Sequence, residues 1–328
     1  MRYRRLGKTG FEISEVSLGT WQVGGGWREE FDDAVAEEII NTAIDTGVNF
    51  IDTADVYGDG KSEAAVGRVV RSRSEQVYVA TKCGRRLQPH RADAYTPDAM
   101  RGFVEEGLRN SGAERLDLIQ LHCPPTEVYY RPEIFEVFDR MKEEGKIANL
   151  GVSVEKVEEG LKAIEYPNVA TVQIIFNMFR HRPSELFFRE AKRRDVGIIV
   201  RVPLASGLLS GKLTRRTTFD TGDHRYFNRT GAAFDRGETF AGVDYETGLT
   251  AVEELKRVLP SDYTLAQYAL RWILLFEEVS CTIPGASRVE QVKDNLEAGA
   301  IPPLSREVMD AVRDVYERHI APQVHQRW

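Results

Sequence analysis

The chain alternates two hydrophobic rhythms. Short apolar runs bounded by glycine or polar residues recur, and between them apolar positions fall three and four apart. The first pattern predicts buried strands and the second predicts helices with one face on a core. Two short strand candidates, 3–6 and 11–13, flank Gly7-Lys8-Thr9-Gly10 as an opening hairpin. Eight further strands are predicted at 16–19, 48–51, 77–81, 116–121, 147–152, 172–175, 197–202 and 279–283. Helical spacing is found over 34–46, around Val66, Val69 and Val70, around Met100, Phe103, Val104 and Leu108, and around Ile134, Val137, Phe138 and Met141. It returns at 155–164, 184–194, 249–258 and 263–276, and finally over about 306–318 with Val308, Met309, Val312, Val315 and Tyr316 inward. The punctuation agrees: Gly47 sits at a C-cap position, Thr96-Pro97 at a helix start, and Ser287 to Glu290 has capping-box spacing.

Eight strands alternating with helices predict a (β/α)8 TIM barrel, one domain spanning 1–328. The pattern adds an N-terminal β-hairpin, a long insert after the seventh strand and an extra C-terminal helix. A doubly wound sheet would show a Gly-x-Gly-x-x-Gly turn after its first strand, and Gly24-Gly25-Gly26 does not supply that spacing. The insert, 212–248, is rich in Thr, Arg, Asp and Gly, yet it carries Phe219, Tyr226, Phe227, Phe234, Phe240 and Tyr245, too many aromatics for plain disorder. Following a barrel strand, it belongs on the C-terminal face, either as a lid or as an elaboration that never meets substrate.

Composition narrows the function classes. A 42% hydrophobic and 29% charged chain is typical of a globular protein, and a net charge of −7 with both signs interspersed gives no basic patch for nucleic acid. No apolar run approaches the roughly 18 residues of a membrane span, and Met1-Arg2-Tyr3-Arg4-Arg5 is not followed by the apolar stretch of a secretory signal. Three scattered cysteines, Cys83, Cys123 and Cys281, make no disulfide framework, so a reduced, cytoplasmic protein is expected. The glycosylation sequon at Asn228-Arg229-Thr230 is then without consequence.

Candidate chemistry lies at the strand ends. In a barrel these ends converge on one mouth, which brings Asp52, Lys82 and His122 together from consecutive strands, with Tyr57 on the loop just past the second. Singly, each reads blandly, as a strand-end carboxylate, a surface lysine, a core histidine and a surface tyrosine. Jointly they suit proton donation to an oxygen that becomes negative. A free tyrosine, with a pKa near ~10, is a poor acid at neutral pH, and a neighbouring ammonium favours its phenolate. Asp52 would hold Lys82 as counter-ion, and His122 would orient a carbonyl. A lysine at a strand end also admits a second class, a Schiff-base aldolase. Cys83, His122 and Cys123 are ligand types for zinc, but both cysteines follow strand-end residues and are expected to point away from the mouth, so no metal is expected.

The sequence resembles the aldo-keto reductase family, NAD(P)H-dependent barrel oxidoreductases, over nearly its whole length. The matching segments are Arg4-Arg5-Leu6-Gly7-Lys8-Thr9-Gly10, Gly19-Thr20-Trp21, Asn49 through Gly58, Ala80-Thr81-Lys82, Gln120-Leu121-His122, Gly151-Val152-Ser153, Pro203 through Lys212 and Ile283-Pro284-Gly285-Ala286. The resemblance implies a catalytic tetrad of Asp52, Tyr57, Lys82 and His122, with Tyr57 as general acid. It further implies Gly19, Thr20 and Trp21 at the nicotinamide end, Ser153 and Gln173 on the carboxamide, and Arg201, Val202, Pro203, Leu204, Ser206, Gly207 and Lys212 from the nicotinamide ring to the pyrophosphate. Gly285, Ser287, Arg288, Gln291 and Asn295 match the adenosine end. Arg288 beside a helix N-terminus suits a 2′-phosphate, which favours NADP(H) over NAD(H). Two departures stand out: Val154 where the family often has Asn, and Arg201 where it often has an aromatic to stack on the nicotinamide. The expected reaction is reversible NADPH-dependent reduction of an aldehyde or ketone. The alternatives are sugar or alcohol oxidation at the same site and a non-catalytic NADPH-sensing subunit. The expected pocket walls are Trp21, Tyr129, Tyr130, the insert and Trp328.

Overall fold

The computed structural model describes residues 1–25 and 30–328, so Gly26 of the glycine loop lies outside the described residues. Strands β1 (Tyr3–Arg5) and β2 (Glu12–Ser14) form the antiparallel opening hairpin. Then come β3 (Leu18–Gly19), β4 (Phe50–Asp52), β5 (Tyr78–Cys83), β6 (Leu116–His122), β7 (Ile147–Ser153), β8 (Val169–Ile175), β9 (Gly197–Arg201) and β10 (Val279–Thr282). These eight pair in parallel in chain order. The ladder closes on itself where Val16 bridges Thr282 and Gly19 bridges Gly285. Closure needs a glycine at 19, because a Cβ there would lie 2.7 Å from the Ile283 carbonyl oxygen. The result is the expected (β/α)8 barrel.

Helices α1 (Asp33–Asp45), α2 (Lys61–Ser72), α3 (Pro97–Ser111), α4 (Pro132–Glu143), α5 (Val157–Ala163) and α6 (Phe187–Arg193) lie between successive strands from β3 to β9. The insert contains the short α7 (His224–Phe227), and α8 (Tyr245–Val258) and α9 (Leu265–Leu274) lead into β10. The chain ends with α10 (Val289–Glu297), α11 (Arg306–Val315) and α12 (Ala321–Val324). Side-chain caps start many of these helices where the sequence places Asp, Thr or Ser: Asp32 accepts from the Val35 N–H, Thr96 from Ala99 and Ser305 from Val308.

Several boundaries differ from the sequence reading, among them the start of β8, at Val169 rather than 172, and three helix ends. Helix α8 starts at Tyr245 rather than near 249, because Asp244 caps the Thr247 N–H. The Ser287–Glu290 capping box does not form. The Gln291 side chain accepts from the Ser287 N–H at 2.7 Å, and the helix begins one residue later behind Arg288. The last helix passes at Tyr316 into a π turn, Tyr316–Ile320, before α12.

Alternation along the strands sets what lies inside the barrel. Phe50, Ala80, Leu118, Ile199 and Cys281 point to the axis, and Leu6 and Ile13 of the hairpin join them as one buried cluster. Gly7, at φ 49°, lets the hairpin seat against β9, since a Cβ there would meet the Gly197 nitrogen at 2.2 Å. The apolar plug fills the lower barrel, and the next inward residues up each strand form the floor of the mouth. Among the described residues no helix is long and apolar enough to cross a membrane.

Candidate active site

Two residues above Phe50, Ala80 and Leu118 on the same strand faces stand Asp52, Lys82 and Gln120, and His122 follows at the end of β6. Lys82 is buried and uses all three of its protons. Its Nζ donates to Asp52 Oδ1 at 2.5 Å, to the Thr53 carbonyl at 2.8 Å and to Tyr57 Oη at 3.3 Å. The other Asp52 oxygen accepts from Gln120 Nε2 at 2.9 Å and Gln173 Nε2 at 2.7 Å. The buried carboxylate is thus fully partnered, as its burial demands. The rings of Tyr57 and His122 stand edge to face, 6.2 Å apart. The four residues read from the sequence as a set do meet.

Their electrostatics follow from burial and from one another. Burial alone would lower the Lys82 pKa, but the charge of Asp52, with Tyr57, more than offsets it and the net shift is upward. A locked ammonium with three acceptors has no lone pair for a Schiff base, which speaks against the aldolase class. Burial raises the Tyr57 pKa, and Lys82 opposes it without cancelling it. This corrects the expectation of a lowered phenol pKa: Tyr57 is the protonated form at neutral pH. Because Lys82 donates into the phenol oxygen, the Tyr57 O–H proton is free to point elsewhere. Burial, then the charges of Arg85, Lys82 and Arg201, hold His122 well below the ordinary imidazole value, so it stays neutral. Its Nδ1 is buried without a hydrogen-bond partner among the described residues.

The residues assigned to a nicotinamide cofactor surround this centre. Thr20 accepts from Ser62 and donates to the Asp52 carbonyl, and the Trp21 indole stands edge-on to Tyr57 at 5.2 Å. Register pairs His122 with Ser153 and Ser153 with Gln173 on neighbouring strands. The Gln173 amide N–H is committed to Asp52, leaving its carbonyl oxygen for a carboxamide. Beyond β9, Val202 holds φ of 51°, and after Pro203-Leu204 come Ala205, Ser206 and Gly207 at 47°, 54° and 96°, a left-handed run ahead of the exposed Lys212. Such turned backbone suits an anionic group. At the far end Asn295 donates to the Gly285 carbonyl at 3.3 Å, and Gln291 binds Ser287. Arg288 is exposed at the N-terminus of α10, and no ion pair engages it among the described residues. A free guanidinium at a helix N-terminus, and a left-handed loop after the neighbouring strand β9, fit the two charged parts of a dinucleotide.

Arg85, Glu155 and Glu238 at the mouth were not read from the sequence, and Arg201 and Cys123 were read without these partners. Arg201 is not free to lie flat: its Nη2 donates to the Val154 carbonyl and to Glu155 Oε2, each at 3.0 Å. Glu238, from the insert, receives Arg85 at 2.8 Å and lies 3.5 Å from Arg201. Cys123 adopts φ 47° and so turns toward the mouth instead of away, its Sγ 3.5 Å from both Arg201 Nη2 and Ser153 Oγ. Cys123, Glu155 and Glu238 come close enough to one another to hold a cation, but both carboxylates are already paired to arginines. Arg85 and Glu155 each follow a strand end by two residues, and the strand-end rule that found Lys82 reaches them; nothing local marks Glu238. Of the expected walls, Tyr130 is exposed, with Lys162 over its ring. Trp328 donates to Asp235 at 2.9 Å and stacks on Arg180, bracing the insert from behind. Asn228 of the sequon is buried, and its side-chain oxygen accepts from the Ala233 and Phe234 N–H groups, so its role is to shape the insert.

Asp55, on the loop between Asp52 and Tyr57, is buried, and neither of its side-chain oxygens has a side-chain partner. Burial, then the charge of Glu63, pushes its pKa from the ordinary 3.8 up to about 7. Folding therefore takes up a proton between those values. The native state keeps its full advantage below the unfolded pKa, loses it as pH rises from about 4 to about 7, and is level above. Asp55→Asn removes the titration, and its effect on Tm is expected to be more favourable at pH 8 than at pH 4 by on the order of 5 °C. An equal change at both pH values by calorimetry would show that Asp55 does not titrate in this window.

A proton-bearing tyrosine beside a locked ammonium, at the mouth of a barrel fitted for a dinucleotide, defines an oxidoreductase of carbonyls and alcohols. The family model described as Aldo/keto reductase family matches residues 15–317, and the chain belongs to that family. It is 27% identical over 328 residues to the uncharacterized oxidoreductase YqkF of Bacillus subtilis, covering 97% of this chain and 99% of that one. It is 29% identical to the NADH-specific methylglyoxal reductase of Escherichia coli, over 89% and 92% of the two chains. Among solved structures, the glycerol dehydrogenase AKR11B4 from Gluconobacter oxydans superposes with a TM-score of 0.79 at 29% identity, covering 97% of this chain and 96% of that one. The holo form of aldo-keto reductase AKR11C1 from Bacillus halodurans gives 0.77 at 25% identity, covering 97% and 99%.

Proposed function

We propose that the chain, acting in the cytoplasm as one barrel unit over 1–328, reduces a small aldehyde or ketone with NADPH, Tyr57 providing the proton. The observation that carries this is the Lys82–Tyr57 contact of 3.3 Å, with His122 opposite. When bound, the nicotinamide supplies a hydride to the carbonyl carbon. Tyr57 gives its phenolic proton to the carbonyl oxygen. The Lys82 hydrogen bond strengthens as negative charge grows on Tyr57 Oη, which places its stabilisation in the transition state. Asp52, fixed by Gln120 and Gln173, keeps the ammonium in place, and Tyr57 regains a proton from solvent. Neutral His122 orients the carbonyl by hydrogen bonding without competing as an acid. In the opposite direction the phenolate is the base, and the name of the glycerol dehydrogenase neighbour supports that direction as a second reading. A screen of aldehydes, ketones, sugars and polyols with both nicotinamide cofactors tests the assignment. Tight NADPH binding with no turnover of any of them would sink it and favour a sensing subunit.

The preference for NADPH rests on Arg288. Arg288→Ala is expected to weaken NADPH about tenfold or more while changing NADH by less than about twofold, since a charge-assisted bond to a 2′-phosphate is lost only from the former. Equal losses in a fluorescence titration would remove Arg288 from that role. The NADH-specific relative makes the parallel measurement with NADH essential.

A further inference from the structure

Two unlike arcs rim the mouth. On one side Trp21 continues from Tyr57 to His224, 6.1 Å between ring centroids, and His224 lies beside Phe234 at 6.3 Å. The Arg85 guanidinium packs over Phe234, 5.6 Å from the ring centre, and begins the other side. From there the contacts run to Glu238, to Arg201 and to Cys123, whose neighbour His122 faces Tyr57 again. The rim is a closed circuit, aromatic on one arc and charged on the other.

The charged arc carries both kinds of group. Glu155 pairs with Arg201 at 3.0 Å and approaches Arg85 at 3.7 Å, so two guanidiniums face two carboxylates. Burial and Glu238 push Glu155 up, whereas Arg85 and Arg201 hold Glu238 down against its own burial. These four side chains keep 10–19% exposure, against 1% and 2% for Lys82 and Asp52 on the floor. They are what the mouth shows to an incoming molecule. The cluster has each guanidinium already against a carboxyl group and no carboxylate left over for an amine. It does have unused guanidinium N–H groups and carboxylate lone pairs, and Arg201 Nε is buried with no hydrogen-bond partner among the described residues. Groups that both donate and accept, namely hydroxyls, match that surface. An apolar substrate would strip water from it and return nothing.

We propose that the Arg85–Glu238 pair, backed by Glu155 and Arg201, is the specificity-determining wall of the substrate pocket and selects small carbonyl compounds with hydroxyls on the carbons next to the carbonyl. This rests on the carbonyl reduction proposed above. Glu238 comes from the insert, so the insert is part of the pocket and not an appendage.

The test compares glyceraldehyde with 2-methylbutanal, which has the same skeleton with methyl groups in place of hydroxyls. Initial rates at saturating nicotinamide give kcat and KM for the wild type, Glu238→Gln and the double variant Arg85→Met/Glu238→Met. The double variant removes the pair without leaving one charge stranded, so it covers the case in which a single variant fails to fold. The wild type is expected to prefer glyceraldehyde by about a hundredfold, and the double variant to lose at least about tenfold of that ratio, through KM. Glu238→Gln is expected to fall between them. A ratio unchanged within about twofold overturns the wall and leaves carbonyl reduction standing. An equal loss for both substrates with KM unchanged also overturns it, since that is a structural role. A wild type that turns over neither compound nor any other carbonyl overturns the reduction and the wall together.

Discussion

Tyr57→Phe is expected to lower carbonyl reduction roughly a thousandfold while nicotinamide binding stays within about twofold. The substitution removes one oxygen and keeps the ring that stands against Trp21 at 5.2 Å and His122 at 6.2 Å, so the mouth retains its shape. The lost group is the only phenol that Lys82 contacts among the described residues, and neutral His122 is a poor substitute donor. Because burial lifts the Tyr57 pKa above its ordinary value of 10.0, wild-type reduction should be level through neutral pH and fall only as pH rises through that raised pKa. The opposite reaction needs the phenolate and should gain rate with pH over the same range. Single-turnover kinetics in the Phe variant within tenfold of wild type would remove Tyr57 from the acid's role.

Lys82→Met has the second large effect, and it is expected on two observables. Turnover falls by more than about a hundredfold, since the developing phenolate loses its ammonium. Stability falls by about 3–5 kcal/mol, because Asp52 is left charged and buried with only the amides of Gln120 and Gln173 as partners. The two losses separate in the double variant Lys82→Met/Asp52→Asn. Removing the stranded charge should restore most of the stability, measured by denaturant unfolding, and none of the turnover. Recovery of turnover in the double variant would show that Lys82 serves only as a counter-ion.

Both predictions depend on how far the site could be read before the fold was seen. Asp52, Lys82 and His122 were legible because each ends an apolar run, and a parallel barrel sends all such ends to one face. Tyr57 came from its place five residues past Asp52. The family resemblance turned a plausible group into a named tetrad, and it stands on motifs spread from residue 4 to 286. Arg201 was legible as a departure but not in its consequence. Its guanidinium is held by Glu155 and the Val154 carbonyl, partners that β7 brings alongside from more than forty residues away. Cys123 was misread because alternation was extended one residue past the strand, where a left-handed φ reverses the side chain. The lowered phenol pKa was misjudged for a related reason. A neighbouring charge can be inferred from sequence, but the depth of burial that opposes it cannot.

Local sequence rules suffice for the periodicities, and with them the barrel, its hairpin and the identity of the residues at the strand ends. These follow from local rules: alternation along a strand, three-to-four spacing along a helix, and capping residues at the helix starts. Only the tertiary structure decided which charges meet. Glu238 lies 153 residues from Arg85 along the chain, in an insert without a regular pattern, and its segment is placed by the Ser206 hydroxyl, which donates to the Glu238 carbonyl and accepts from the Phe240 N–H, and by Trp328 against Gly237 and Gly242. Ion pairs over such separations depend on closure of the barrel and on the path of the insert. No local preference encodes either of these, so the chemistry of the floor was readable from sequence while the character of the rim was not.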